Sequence, residues 1–508
     1  MRFVYRSIEN LPRLAWCAHL TNGVESIVVR HGPWVETRDD CFFEGAWNGP
    51  FEEGRFDVAD TFTGTGGRLT PDGVLFAAPT HPFERIYSVR VGEQLVVSNS
   101  WTFLLVSIDD RPDMDHADYY FDLQHNFRGF RRIPTTLRTQ NGNAVSLIDA
   151  RNLVVSAELD IRYATKRRPP EPQTYAQYVA LLQATVDLVI ANAAHPGRGQ
   201  RYRPVTMTST GYDSTAVSAL VAKAGCTEAV TYARLYRNGP DTGDDGSQIA
   251  QRLGMTVKTY ARFAYCERTD FPEAEFCNAG PINWAPLSAI EETLVGALLC
   301  TGSLGYARQE LSCRTQPYGI PFYAAYPFPS TSITEFRLRV GFVAFPALYA
   351  ATIHDKATRR ITSSEEMRPW VLPSMDRNAP ILRRLVEEAG VPRSWFGQKK
   401  RASAFSNLAN PQMFSPASLA DFTLFCRNNG LPTTEDRRRH IRWIARVSSR
   451  MARNGSNLLS RLPFEVFLLL APYTWWLYPN TSHRLWHSPS LYTFHWGFER
   501  TNRRYQVD

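Results

Sequence analysis

Cysteine is sparse in this chain of 508 residues: eight, at positions 17, 41, 226, 266, 277, 300, 313 and 426. None forms a Cys-x-x-Cys pair or has closely spaced histidine partners, which argues against a metal site built on thiolates. Those in apolar surroundings, Leu299-Cys300 and Phe425-Cys426, read as reduced core residues. No Gly-Lys-Ser/Thr follows a glycine loop at P-loop spacing, and the three spaced glycines of a dinucleotide fingerprint are missing. The most apolar stretch, 464–478, spans only about fifteen residues and contains Glu465 and Pro472, too short and too broken for a membrane span. Met1-Arg-Phe-Val-Tyr-Arg6 is too short and too charged for a secretory leader. A cytoplasmic protein with free thiols is therefore expected. Repeats and low-complexity tracts are also lacking.

What is present describes a globular chain. Apolar residues make up 44% and charged residues 21%, enough for a substantial core over roughly two or three domains. The formal charge of +8 suits anionic substrates such as nucleotides or acidic glycans, or a membrane surface. It is too mild, with basic residues too scattered among the aromatics, to indicate nucleic acid.

The most informative stretch is Thr206-Met-Thr-Ser-Thr-Gly-Tyr-Asp-Ser-Thr215, followed by the helix-forming run Ala216 to Ala224. It reads as a buried strand, a tight turn and a helix. Such a turn gathers backbone N–H groups, hydroxyls and the positive end of the helix dipole at one spot, which suits a phosphate or pyrophosphate. Asp213 adds a hard oxygen ligand for Mg²⁺. An ordinary strand-to-helix turn capped by serine is the plain alternative. Ala229–Arg234 then reads as a second strand, Gln248–Met255 as a short helix ending at Gly254, and Thr256–Tyr260 as a third strand. That alternation implies a parallel sheet with right-handed crossovers, whose ligands sit beyond the carboxyl ends of its strands.

The segment Ser209-Thr210-Gly211-Tyr212-Asp213-Ser214 resembles the Ser-Gly-Gly-x-Asp-Ser loop of the ATP pyrophosphatases, in their asparagine synthetase-like branch. Asp244-Asp245 and Leu253-Gly254 stand where that family has an acidic patch and a helix end. The resemblance implies an α/β fold: an adenine-nucleotide α-hydrolase-like domain at 173–410, preceded by a β-rich, glutaminase-like domain of the N-terminal-nucleophile type at 1–165. An Arg-rich helical extension occupies 411–508. It implies ATP and Mg²⁺ as cofactors, pyrophosphate held by residues 209–214, and adenine flanked by Thr206, Met207, Thr231 and Tyr232. The family's second loop, Ser-Gly-x-Gly-x-Asp-Glu, is matched at 301–310 by Gly302 and Gly305. Tyr306 and Ala307 stand where acidic residues are expected, leaving Glu310 as the nearest carboxylate to share the metal with Asp213. A basic loop at Gln398-Lys-Lys-Arg401 matches the place of a family lysine that stabilises charge on the reacting phosphorus. Lys400 is the better match and Lys399 the next, and with Asp213 they form the implied catalytic set.

The glutaminase domain of that family attacks glutamine with an N-terminal cysteine, whereas this chain begins Met1-Arg2-Phe3 and has its first cysteine at Cys17. A glutaminase-dead scaffold is expected, with strands at Ser26–Arg30, Gln94–Ser98, Ala144–Ile148 and Leu153–Ser156. Residues 166–172 read as a linker and 174–194 as a helix.

Glu335, Arg337 and Arg339 alternate with apolar residues, so a strand would send all three to one face. They read either as an anion grip or as a buried ion-pair network. With 363–370, Asp376-Arg377 and Arg383-Arg384, the segment 335–346 that carries them resembles a bacterial asparagine synthetase-like subgroup often linked with surface-polysaccharide genes. Residues 436–453 show Ile441, Ile444, Val447 and Met451 near helical spacing among arginines. Packing on the protein is the favoured reading, and peripheral contact with an anionic membrane the alternative. The function implied is adenylation of a small or glycan carboxylate, with amide formation from an amine or free ammonia. A degenerate member that binds nucleotide or a partner without chemistry is the second reading, and an RNA-modifying pyrophosphatase the least supported. A homodimer is compatible with the sequence.

Overall fold

The computed structural model describes residues 1–81, 84–116, 119, 136–149, 151–233, 244–279, 282–303, 333–372, 378–398, 406–407, 413–431, 433 and 492–506. It is a mixed α/β structure with a β-rich N-terminal region. One sheet there has seven strands, in spatial order Arg2–Ser7, Ser26–His31, Trp16–Thr21, Gln94–Ser98, Ile86–Val91, Ala144–Ile148 and Thr136–Arg138. A second has six, in order Ile161–Thr165, Arg151–Ser156, Gly73–Ala77, Phe62–Thr70, Cys41–Trp47 and Glu36–Thr37. Alternation sets the inward faces: Ile27 and Val29 are buried while Ser26, Val28 and Arg30 are partly exposed. Trp16, Ile27, Val29 and Val97 from one sheet pack with Phe42, Val74, Phe76 and Leu153 from the other.

The Tyr175–Ala193 helix, capped by the Thr174 side chain on the Gln177 amide, leads out of this region. It opens a five-stranded sheet in spatial order Thr256–Tyr260, Glu228–Tyr232, Arg203–Met207, Ala297–Thr301 and Val343–Pro346. Every neighbouring pair in it is parallel. Counted along the chain, the order is third, second, first, fourth, fifth, so the winding reverses between Arg203–Met207 and Ala297–Thr301. The Ala297–Thr301 strand is buried along its whole length, as a central parallel strand covered on both faces must be.

The strand expected through Glu335, Arg337 and Arg339 is instead the Thr334–Val340 helix, closed by Gly341 at φ 81°. The alternation misleads because this helix is buried nearly all round, with its charges paired. Arg337 forks onto both oxygens of Glu44, at 2.7 and 2.9 Å, and also bonds Glu84. Glu335 accepts from the Ser100 hydroxyl and the Tyr505 hydroxyl, each at 2.6 Å. Arg339 grips Glu275 at 2.6 and 2.8 Å and Glu291 at 2.6 Å. Arg337 and Arg339 thus form the buried ion-pair network that the sequence allowed as an alternative to an anion grip, while Glu335 is held by hydroxyls. Because Glu44 and Glu84 belong to the N-terminal region, the network ties that region to the parallel sheet.

Arg337→Ala leaves Glu44 and Glu84 buried without their cation. Stability should fall by about 3–5 kcal/mol, read by denaturant unfolding, whereas Arg337→Met with Glu44→Gln and Glu84→Gln should recover much of the loss.

Candidate nucleotide-loop site

The first strand ends at Met207, and the Tyr212–Lys223 helix begins five residues later with Gly211 at its N-cap. Gly211 has no side chain with which to cap this helix. The turn is held from within. Ser209 Oγ and Ser214 Oγ lie 2.7 Å apart, and the Gly211 amide donates to Ser209 Oγ at 3.1 Å. Thr215 Oγ1 donates to the carbonyls of Ser209 and Gly211, at 3.0 and 2.7 Å. Ser209, Thr210, Gly211, Asp213 and Ser214 remain partly exposed, so the turn is open to solvent and not packed shut.

Three further segments converge on it. The fourth strand ends at Thr301, and Gly302 beyond it touches the loop so closely that a methyl group there would lie 2.6 Å from Asp213 Cβ. Two loops that the sequence placed ninety residues apart thus meet where the strand order reverses, the position at which parallel α/β sheets bind ligands. Thr301 is buried, and its hydroxyl has no hydrogen-bond partner among the described residues. Asp244 contributes one carboxylate oxygen to the Thr210 amide, at 3.3 Å, and to the Thr210 hydroxyl, at 2.9 Å. Finally, the Gly397 amide donates to the Thr210 carbonyl at 2.8 Å. Gly397 has φ 71°, and a Cβ there would fall inside the Tyr212 ring, so glycine is required on both counts.

The individual positions divide as follows. Tyr212 is buried; its hydroxyl bonds Arg383, whose guanidinium also lies 5.2 Å from the ring centroid, so the side chain faces the core while the backbone enters the turn. Thr206 is buried with its hydroxyl 3.2 Å from that of Ser218, on the face covered by the Tyr212–Lys223 helix. Met207 and Tyr232 belong to the core on the opposite face, and the Tyr232 hydroxyl donates to the Pro286 carbonyl at 2.7 Å. Thr231 Oγ1 accepts from the Gly246 amide at 2.9 Å. The four residues expected around adenine therefore sit on two faces of the sheet, and their side chains do not converge. Lys399, Lys400 and Glu310 lie outside the described residues, though Gly397 anchors the chain two residues before Lys399. Asp244 was read only as part of an acidic patch, and its spacing from Thr210 gave no sign of the direct bond. Thr301 was not singled out, because a threonine ending a strand carries no pattern of its own, and Arg383 entered only through the subgroup resemblance, with no sign of its bond to Tyr212.

Among the described residues no group of three or more His, Cys, Asp or Glu side chains is gathered to hold a metal ion. In the N-terminal region Cys17 is fully buried, 3.3 Å from the Ser107 hydroxyl and 3.7 Å from His19. Burial pushes its thiol up to about 12 and, together with Arg30, holds the His19 imidazole down at about 4. A thiolate–imidazolium pair does not form under those conditions, so Cys17 lacks the activation a nucleophile needs. The cysteines 17, 41, 226, 266, 277, 300 and 426 are all free and buried. No helix among the described residues is long and apolar enough to cross a membrane.

A scan against protein-family models gives no match to the chain, and a search of curated proteins gives none.

Two expectations follow from this geometry. Gly302→Ala forces its methyl group into Asp213 and should cost about 1–3 kcal/mol of stability, measured by thermal or denaturant unfolding. Cys17 should resist iodoacetamide at pH 8 in the folded protein and react after unfolding, as peptide mapping of the alkylated chain would show.

Proposed function

We propose that this protein is an ATP-dependent ligase of the asparagine synthetase-like type, which adenylates a carboxylate and releases AMP and pyrophosphate as an amide forms. The carrying observation is the meeting of the Ser209–Ser214 turn with Gly302 at the strand-order reversal of an all-parallel sheet. The groups present suit a polyphosphate: an open turn and an uncapped helix start offer donors at one place. On this reading the substrate carboxylate attacks the α-phosphorus and the P–O bond to pyrophosphate breaks. The amine or ammonia then attacks the activated carbonyl, and AMP leaves. Mg²⁺ would supply charge neutralisation for the phosphates, with Asp213 as a ligand and Glu310 as the nearest acidic residue of the second loop. Lys400 or Lys399, on the family resemblance, would offset negative charge on the reacting phosphorus. The domain identities belong to the same proposal: an ATP pyrophosphatase-like sheet domain, and an N-terminal region related to a glutaminase but without its nucleophile. The buried, unactivated Cys17 supports an external amine or ammonia as the nitrogen source. A uronic acid of a surface glycan is the substrate class that the sequence resemblance favours, and the cytoplasm the expected compartment.

A second reading, nucleotide binding without chemistry, is favoured by the lack of a metal-binding cluster among the described residues.

One experiment separates the two. The full chain is incubated with Mg·ATP, ammonium and a panel of uronic and small organic acids, and AMP, pyrophosphate and ATP binding are measured. Acid-dependent AMP and pyrophosphate are expected, falling by roughly 10²-fold or more in Asp213→Ala. ATP binding without either product would support the second reading, and no ATP binding would overturn both.

A further inference from the structure

We propose that Arg383 is a specificity-determining residue, a fixed positive charge that suits the Ser209–Ser214 turn to a polyphosphate; this rests on the reading of that turn as the ligase's phosphate site. Arg383 lies on the Pro380–Glu388 helix and is 1% exposed. Charged side chains are seldom buried so fully without a partner of opposite charge. Arg337 bonds Glu44 and Glu84, and the neighbouring Arg384 bonds Glu366 at 2.8 Å and Glu388 at 2.7 Å. Arg383 has no such partner among the described residues. Its bonds run to neutral acceptors: the Trp370 carbonyl, the Asn378 side-chain oxygen at 3.0 Å and the Tyr212 hydroxyl. The fold thus keeps a whole positive charge in its interior with no carboxylate bonded to it.

That charge stands directly behind the turn. Tyr212 is the first residue of the Tyr212–Lys223 helix, between Gly211 at its N-cap and Asp213. The guanidinium bonds the Tyr212 phenol and lies 5.2 Å from its ring centroid, within one side chain's length of the turn's backbone. The ring is held in place from another side as well. Phe396 meets it edge-on at 5.8 Å, and a Cβ on Gly397 would fall inside it. The two helices pack together, and Leu382 and Val386 of one share a core with Ala216 and Leu220 of the other.

The balance of charge gives this position its use. Asp213 and Asp244 bring two carboxyl groups to the turn, and the helix start offers only roughly half a positive charge against them. Arg383 adds a full charge from the buried side, where salt screens it least, and takes none of the space that a ligand would fill. It touches no phosphate. It acts across the tyrosine, favouring ligands in proportion to the negative charge they carry.

The test is calorimetric titration of the full chain with magnesium pyrophosphate and with Mg·ATP. Arg383→Met and Arg383→Gln remove the charge at similar volume, so either serves if the other fails to fold. Arg383→Lys keeps the charge and loses the planar fork. Pyrophosphate affinity should fall about tenfold or more in the Met and Gln variants and stay within about threefold of the native value in the Lys variant. Unchanged affinity in the Met or Gln variant overturns the proposal and leaves the ligase reading standing. Equal loss in the Lys variant also overturns it, assigning Arg383 to packing alone. A native chain that binds neither pyrophosphate nor Mg·ATP overturns the proposal together with the ligase reading.

Discussion

Two strand ends can touch at the reversal of the parallel sheet only because Gly302 has no side chain. With any larger residue there, the chain leaving the fourth strand would be pushed off Asp213, and the buried Thr301 hydroxyl would move with it. The opposing wall of this contact is already rigid. Hydroxyls of Ser209, Ser214 and Thr215 bond one another and the loop's own carbonyls, so the turn keeps its shape without a ligand. Asp244 and Gly397 hold Thr210 from opposite chemical sides, one on its amide and hydroxyl, the other on its carbonyl. A site formed in advance in this way loses little freedom on binding, which is where preorganisation gains affinity.

A second constraint positions the sheet itself. The Arg337 guanidinium, fully buried, answers two carboxylates of the N-terminal region, while Thr63 of that region donates its hydroxyl to the carbonyl of Ala344 on the fifth strand. Buried ion pairs of this kind give little net stability against an apolar replacement, and their use is to fix one arrangement among alternatives. Here the arrangement fixed is the orientation of the β-rich region against the last two strands of the sheet.

The legibility of the sequence followed how much one periodicity governed each segment. Thr256–Tyr260, Gln94–Ser98 and Ala144–Ile148 run between the expected residues, because short strands bounded by glycine, aspartate and asparagine obey local rules. The long helix is bounded by a threonine cap at 174 that the pattern also marks. Thr334–Val340 was misjudged because burial on every side erases the helical stripe, and only pairing with distant carboxylates makes its charges tolerable. The site was half legible. The turn at 209–214 announces itself by composition, whereas the closeness of Gly302 to Asp213, of Asp244 to Thr210 and of Gly397 to Tyr212 arises from the winding of the sheet. Alternation along two strands sends the side chains of Thr206 and Thr231 to one face of the sheet and those of Met207 and Tyr232 to the other.

Charge bears on how such a loop could work. Asp213 and Asp244 both stand at a turn proposed to receive pyrophosphate, and two carboxylates beside a polyanion repel it. A helix start offers roughly half a positive charge, which does not offset them. Asp244 gives one carboxylate oxygen to the amide and hydroxyl of Thr210, and Asp213 stands at the contact with Gly302. Positive charge must therefore arrive with the ligand or from the chain. On the proposed function, the first would be met by a nucleotide carrying its metal ion. On that same reading, the acidic pair would disfavour a bare phosphate and favour a metal-complexed one.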